Sequence, residues 1–290
     1  MNPPLPTANA RHGVVLMLAS AFSFIANALI IRELGDRFAV DSWLLSTVRF
    51  VVGLAVILLF FRSGGRFRFR HLYRNPQLIV RGVIGGIGVY LYYLTIVRLG
   101  AGRATFISNT YVVMGALLAV GFLHEPLTPA LIVGSVVSLA GLALLTGVAA
   151  GLPQVGVYDF LAVLGALASA VVVVTIRQLH RTEHTATIFG AQCLYGLVFC
   201  LVPTAARFSA PAPAAWSLLV VSGLCAGVGQ LTMTRAYREL PVARGSLLQM
   251  LVPLGIAAGG ALFFGERFQP HELLGAGLIF GGTLLTLLRR

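Results

Sequence analysis

The chain has 290 residues, 58% hydrophobic and only 10% charged, with a formal net charge of +12. A soluble domain carries about 25% charged residues, so this composition excludes a water-covered globule and makes lipid the solvent for most of the surface. All 21 basic residues are Arg, and without Lys there is neither a Walker-type phosphate loop nor Schiff-base chemistry.

The Pro-rich segment Met1 to His12 leads into an apolar run with no small-residue cleavage site and nine further runs behind it. It therefore reads as a retained helix rather than a signal peptide. A bilayer core of about 30 Å takes about 20 apolar helical residues. The chain offers ten such runs: 13–31, 42–61, 78–97, 104–123, 128–148, 157–176, 186–204, 214–234, 243–264 and 271–288. Run length selects helices over barrel strands, which are about ten residues of alternating pattern.

Polar groups inside a span are costly and ask for a partner or a wet cavity. On the first span Ser20, Ser23 and Asn27 share one helical face. Ser46 and Arg49 share one on the second, and Tyr90 and Tyr93 on the third. Thr105, Ser108, Asn109 and Tyr111 cluster on the fourth; Ser222 and Gln230 mark the eighth; Ser246, Gln249, Met250 and Pro253 mark the ninth. The candidate solute-binding set is Asn27, Arg49, Tyr90, Tyr93, Asn109, Tyr111, Gln230 and Gln249, with Pro253 as a hinge. The competing reading for each hydroxyl or amide is interhelical hydrogen bonding. For Arg49, taken as the only basic residue well inside a span, it is a structural arginine bonded to helix carbonyls or water. Glu125 and Glu266 precede the next span and read as helix caps. No carboxylate lies deep in a span, which favours facilitated diffusion or exchange over a proton relay.

Loop charge sets orientation. With the N-terminus in the cytoplasm, fourteen arginines fall on that side, among them Arg62, Arg66, Arg68, Arg70, Arg74 and Arg81, against six on the other. Both termini are expected to be cytoplasmic. Cys193, Cys200 and Cys225 lie in apolar runs without metal or redox spacing and read as small core residues.

A shift of 141 residues aligns 99–147 on 240–288 without a gap. Arg103 falls on Arg244, Glu125 on Glu266, Pro129 on Pro270, Gly134 on Gly275 and Gly141 on Gly282. The expected fold is therefore an all-α membrane protein of ten transmembrane helices, built as two inverted five-helix repeats, residues 1–150 and 151–290. An odd number of spans per repeat sends the second half in from the opposite face, the arrangement of many secondary transporters.

The stretches RLGAGRATFISNTYVVMGALLAVGFLHEPLT and RELPVARGSLLQMLVPLGIAAGGALFFGERFQPHELLGAGLIFGG carry a resemblance to the drug/metabolite transporter superfamily, specifically its EamA-type ten-helix members. The likeness covers nearly the whole chain, and Arg49 fits it. The first half carries Asn109, Thr110, Tyr111 and Val112 where the family often has a Pro, whereas the second keeps Pro253. The resemblance implies a solute path between the halves, as in bacterial relatives that mostly export amino acids and other metabolites. The expected function is a secondary transporter for small amphipathic metabolites, foremost amino acids with a lean to aromatic ones. It would work by alternating access as an exporter of the bacterial cytoplasmic (inner) membrane. Its partners would be the solute and the bilayer, with no nucleic acid and no cofactor, and a monomer would suffice.

A drug, nucleoside or sulfonium carrier is the alternative within the class. A phosphorylated solute is disfavoured, because only Arg49 lies deep enough to help hold it. From other classes, His180, Glu183 and His184 spell the H-x-x-E-H of some zinc enzymes, but no third ligand stands out, so no enzyme is expected. A channel would need a filter or charge rings that the sequence does not display.

Overall fold

The computed structural model describes residues 9–62, 67–99, 101–148, 155–265 and 269–288. Glu266 and the expected join around Gly151 lie outside the described residues. Thirteen helices follow one another: α1 (Ala10–Phe38), α2 (Ser42–Phe61), α3 (Phe69–Arg74), α4 (Pro76–Leu99), α5 (Ala101–Asn109), α6 (Tyr111–Leu123), α7 (Pro129–Leu145), α8 (Val157–Leu179), α9 (Thr185–Ala206), α10 (Pro213–Glu239), α11 (Val242–Gln249), α12 (Leu251–Phe264) and α13 (Pro270–Leu288). No strand occurs among the described residues. Eight helical stretches are long and apolar enough to cross a bilayer, counting 103–123 and 242–264 as one each, and α7 is a shorter apolar helix.

Sequence-local chemistry sets the ends of these helices. Asp41 accepts Trp43 N at 2.7 Å to start α2, and Thr128 accepts Leu131 N before Pro129 to start α7. Asp159 reaches back to Gly156 N at 2.8 Å to start α8. Each satisfies an amide that the helix leaves orphaned. The helices α6 and α12 both end on a left-handed residue, His124 (φ 55°) and Gly265 (φ 70°), 141 positions apart.

Two long apolar runs are interrupted at their middles, by different means. Between α5 and α6, Asn109 Nδ2 donates to Thr105 O (2.8 Å) and Thr110 Oγ1 to Ile107 O (2.7 Å), so side chains compete for the backbone acceptors. Between α11 and α12, Pro253 has no N–H to offer Gln249 O, and the chain breaks at Met250. Pro253 thus stands in the first turn of a new helix rather than as a kink within one.

The helices pack as an interlocked bundle: α1 against α10, α4 against α8 and α9, α2 against α9 and α10, α6 against α8, α12 against α1, and α7 against α13. Glycines allow the last contact. A Cβ on Gly141 would lie 2.6 Å from Gly275 O, and one on Gly282 would lie 2.8 Å from Gly134 O. The outer surface is apolar, with Phe22, Leu59, Phe60, Phe122, Val202, Leu262 and Phe263 all at least 71% exposed. Exposure on that scale suits hydrocarbon and not water.

Candidate functional site

The polar residues of the interior gather where α1, α2 and α4 face α10 and α11. Arg49, half-buried on α2, donates from Nη1 to Tyr93 Oη (3.1 Å) on α4 and from Nη2 to Gln230 Oε1 (3.4 Å) on α10. Its guanidinium also stands 6.0 Å from the Phe24 ring centroid on α1. Gln230 Nε2 is buried without a partner, so the cluster keeps an unused donor. Such a donor is costly to leave empty and is available to a ligand.

One helical turn away on the same face of α1, Ser20 Oγ donates to Gly229 O (2.7 Å) and accepts from Gln249 Nε2 (3.0 Å), which also contacts Met17 Sδ at 2.9 Å. Asn27 accepts Ser222 Oγ at 2.8 Å. Tyr111 at the start of α6 hydrogen bonds Ser246 and Tyr237, and those two lie 3.0 Å apart. In each of these sets, residues from before position 150 meet residues from after it.

The remaining candidates sit differently. Tyr90 stacks on Trp43 with ring centroids 3.6 Å apart and meets Phe199 edge-on. The Asn109 amide is occupied with its own helix. The H-x-x-E-H side chains do not converge: His180 Nε2 donates to Thr234 O (2.7 Å), Glu183 pairs with His71 (2.8 Å), and His184 caps α9 by accepting Ala186 N.

At the end of the bundle where α1 starts, here called the first face, Glu125 ties the two parts of the chain together. Its Oε1 accepts Arg177 Nε and its Oε2 accepts Val242 N, both at 2.8 Å. Arg177 Nη1 also donates to Tyr237 O and Arg238 O, closing the end of α10. Glu125 is therefore more than the cap that its place in a helical turn suggests. At the opposite face Arg103 pairs with Asp159 at 2.6 Å.

The sequence reading placed Arg81 among the loop arginines, and the structure corrects this. Arg81 lies on α4 with no exposed surface, and its Nη2 donates to Gln192 Oε1 at 2.8 Å. The available signal was its position four residues into the run 78–97, one turn before Gly85. Arg49 is thus not alone in the interior, and the argument against a phosphorylated solute from Arg49 being the only deep cation no longer holds.

Comparison with known proteins bears on what this arrangement does. The model of the EamA-like transporter family matches residues 11–147 and again 156–288. Over 286 residues the chain is 26% identical to the pseudopaline exporter CntI of Pseudomonas aeruginosa, covering 95% of this chain and 93% of that one. Over 276 residues it is 26% identical to the threonine/homoserine exporter RhtA of Escherichia coli K12, covering 93% and 90%. A solved crystal structure superposes with a TM-score of 0.82 at 20% identity, covering 95% of this chain and 96% of that one, which shows a shared fold.

Proposed function

We propose that this chain, which belongs to the EamA-like transporter family, exports a small amphipathic metabolite, foremost an amino acid, by alternating access across the bacterial cytoplasmic membrane. The observation that carries the proposal is the polar seam built from both parts of the chain: Arg49 and Tyr93 against Gln230, and Ser20 against Gln249. A solute held there would touch both moving parts at once, as a carrier requires. Tyr111 and the free Gln230 amide complete the lining, and Tyr90, Asn109 and Asn27, the last held by Ser222, support it from behind.

Ten spans in two inverted repeats, 1–150 and 151–290, account best for the packing. Under the 141-residue shift the contact of Gly141 with Gly275 turns into that of Gly282 with Gly134. A pair that maps onto itself with its members exchanged is the mark of a two-fold relation. Because the two helices run antiparallel, that axis lies across them, in the membrane plane. The paired left-handed caps His124 and Gly265, and the contacts of α1 with α10 and of α8 with α4, obey the same shift. With both termini cytoplasmic, the first face is the cytoplasmic one and Glu125–Arg177 closes it.

Counterflow in proteoliposomes tests the function. Vesicles loaded with single unlabelled amino acids are expected to accumulate the labelled substrate faster than empty ones, with saturation. Failure of every amino acid to trans-stimulate would overturn the amino acid assignment; trans-stimulation by nucleosides, drugs or sulfonium metabolites would then identify the alternative cargo.

A further inference from the structure

Resting on the carrier reading above, we propose that Arg81 and Arg49 together form a dicationic site that selects a solute with a second carboxylate, so that the substrate class is acidic rather than aromatic. Arg81 is completely buried, and only one of its nitrogens is satisfied: Nη2 donates to Gln192 Oε1, while Nε and Nη1 have no partner. A structural arginine near a helix end extends its head towards the headgroups. This one turns the other way. A Cβ added at Gly85, one turn further along α4, would clash with Arg81 Nη1, so the guanidinium lies over that glycine and points into the bundle.

Both arginines converge on the same turn of α9: Arg81 is bonded to Gln192, and Arg49 stands one turn before Gly53 on α2, where a Cβ would lie 2.8 Å from Cys193 Sγ. Neither arginine forms an ion pair among the described residues. The carboxylates are used elsewhere: Glu33 with Arg37, Asp36 with Arg32, Asp41 with Trp43 N, Glu125 with Arg177, Asp159 with Arg103, Glu183 with His71, Glu239 with Arg235 and Glu272 with Gln269 N. Glu266 lies outside the described residues, two positions past the end of α12.

Two neighbouring cations without a counter-charge in a low-dielectric interior repel each other and invite an anion. Nη2 gives one of its two hydrogens to Gln192 and keeps the other, so one edge of the Arg81 guanidinium, Nε with Nη2 or Nη1 with Nη2, still presents two parallel donors, the geometry that takes a carboxylate bidentately. Arg49, half-buried and already bonded on both Nη atoms, would hold the other carboxylate. With no acidic group paired to either arginine among the described residues, a cationic solute gains nothing at this end of the site.

The test compares isosteres that differ in charge: glutamate against glutamine, aspartate against asparagine, as competitors of counterflow. Thermal stabilisation of the purified protein by succinate, by its diamide and by chloride is measured alongside. The wild type is expected to prefer each acid over its amide by about tenfold or more. Arg81→Gln should collapse that preference, Arg81→Lys should retain part of it, and Gly85→Ala, which crowds the guanidinium without removing it, should weaken it. Equal competition by acid and amide in the wild type, or an unchanged preference in Arg81→Gln, overturns the proposal while leaving the carrier reading intact. Equal stabilisation by chloride and succinate overturns the carboxylate assignment. If no amino acid trans-stimulates, the amino acid reading fails, and succinate against its diamide still decides the anion site. If Arg81→Gln is not monodisperse, the wild-type comparison and Gly85→Ala decide.

Discussion

At the scale of single residues, the interior separates side chains that join helices from side chains that can meet a solute. Ser222 and Asn27 satisfy each other in a buried pair. Pairs of this kind in membranes are worth about 0.6 kcal/mol on average, so Ser222→Ala should lower the melting temperature only slightly and leave transport near wild type. Arg49→Gln removes the charge at the centre of the seam. Its melting temperature should stay within a few degrees while counterflow falls at least about tenfold, as expected for a lost charge-assisted contact. A melting scan run beside the transport assay separates the two cases. His180, just beyond the end of α8, titrates in a useful range. Burial pushes its pKa down to about 4 from an ordinary 6.5, although the bond to Thr234 O opposes this. The unfolded chain therefore binds a proton that the folded chain refuses between those values. Stability is full above pH 6.5 and declines as pH falls towards 4. His180→Gln should remove part of that decline in a melting series over this range. Among these residues, polarity within an apolar run was legible in the sequence, and it named Arg49, Gln230 and Gln249. Whether a given group was already satisfied was not legible, because Tyr90 and Asn109 find their partners through side-chain directions that spacing does not fix.

At the scale of elements, the two broken spans and the glycine-packed pair carry the argument. Pro253 withholds the amide that would carry α11 into α12. Pro253→Ala restores it, so the protein should be at least as stable in a melting scan while turnover slows, if this break flexes during transport. The close approach of α7 and α13 leaves no room for a side chain, since a Cβ on Gly275 would lie 2.5 Å from Gly141 O. Gly275→Leu should cost more than the 1–3 kcal/mol or so typical of overpacking, seen as a large fall in melting temperature or loss of monodisperse protein. Gly277→Leu should be tolerated, because nothing lies within 4 Å of a Cβ there. The 141-residue shift aligned Gly134 with Gly275 and Gly141 with Gly282 in the sequence, but that these two helices pack on each other was not legible there, because a repeat offset does not say which helices touch. The break between α5 and α6 was not visible, because it comes from the local bonds of Asn109 and Thr110 rather than from a proline.

At the scale of the whole molecule, helical character, apolar surface and membership of a transporter family agree with what composition and motifs led one to expect. The sequence did not reveal how the first face is tied together. Glu125 reads there as a helix cap, and only the fold brings Arg177, Val242 N and the carbonyls of Tyr237 and Arg238 to it. Glu266, 141 positions on, lies outside the described residues; among the described residues α11 packs against α6, whereas α5 makes no comparable contact with α12. On the proposed inverted-repeat reading, this inequality is what a carrier with one face closed would show. Breaking Glu125 with Gln should loosen that face and raise the reactivity of a cysteine placed at Ser246 towards a reagent added from the first face.

The most direct test of alternating access is to lock that face covalently. Cysteines replace Glu125 and Arg177 in a protein whose Cys193, Cys200 and Cys225 have been removed, and counterflow is measured before bridging, after bridging with a short bifunctional reagent, and after cleavage of the bridge. The account predicts transport before bridging, its loss when the bridge forms, and its return on cleavage. Full transport with the bridge intact would contradict it, because a carrier cannot complete its cycle with one face permanently closed.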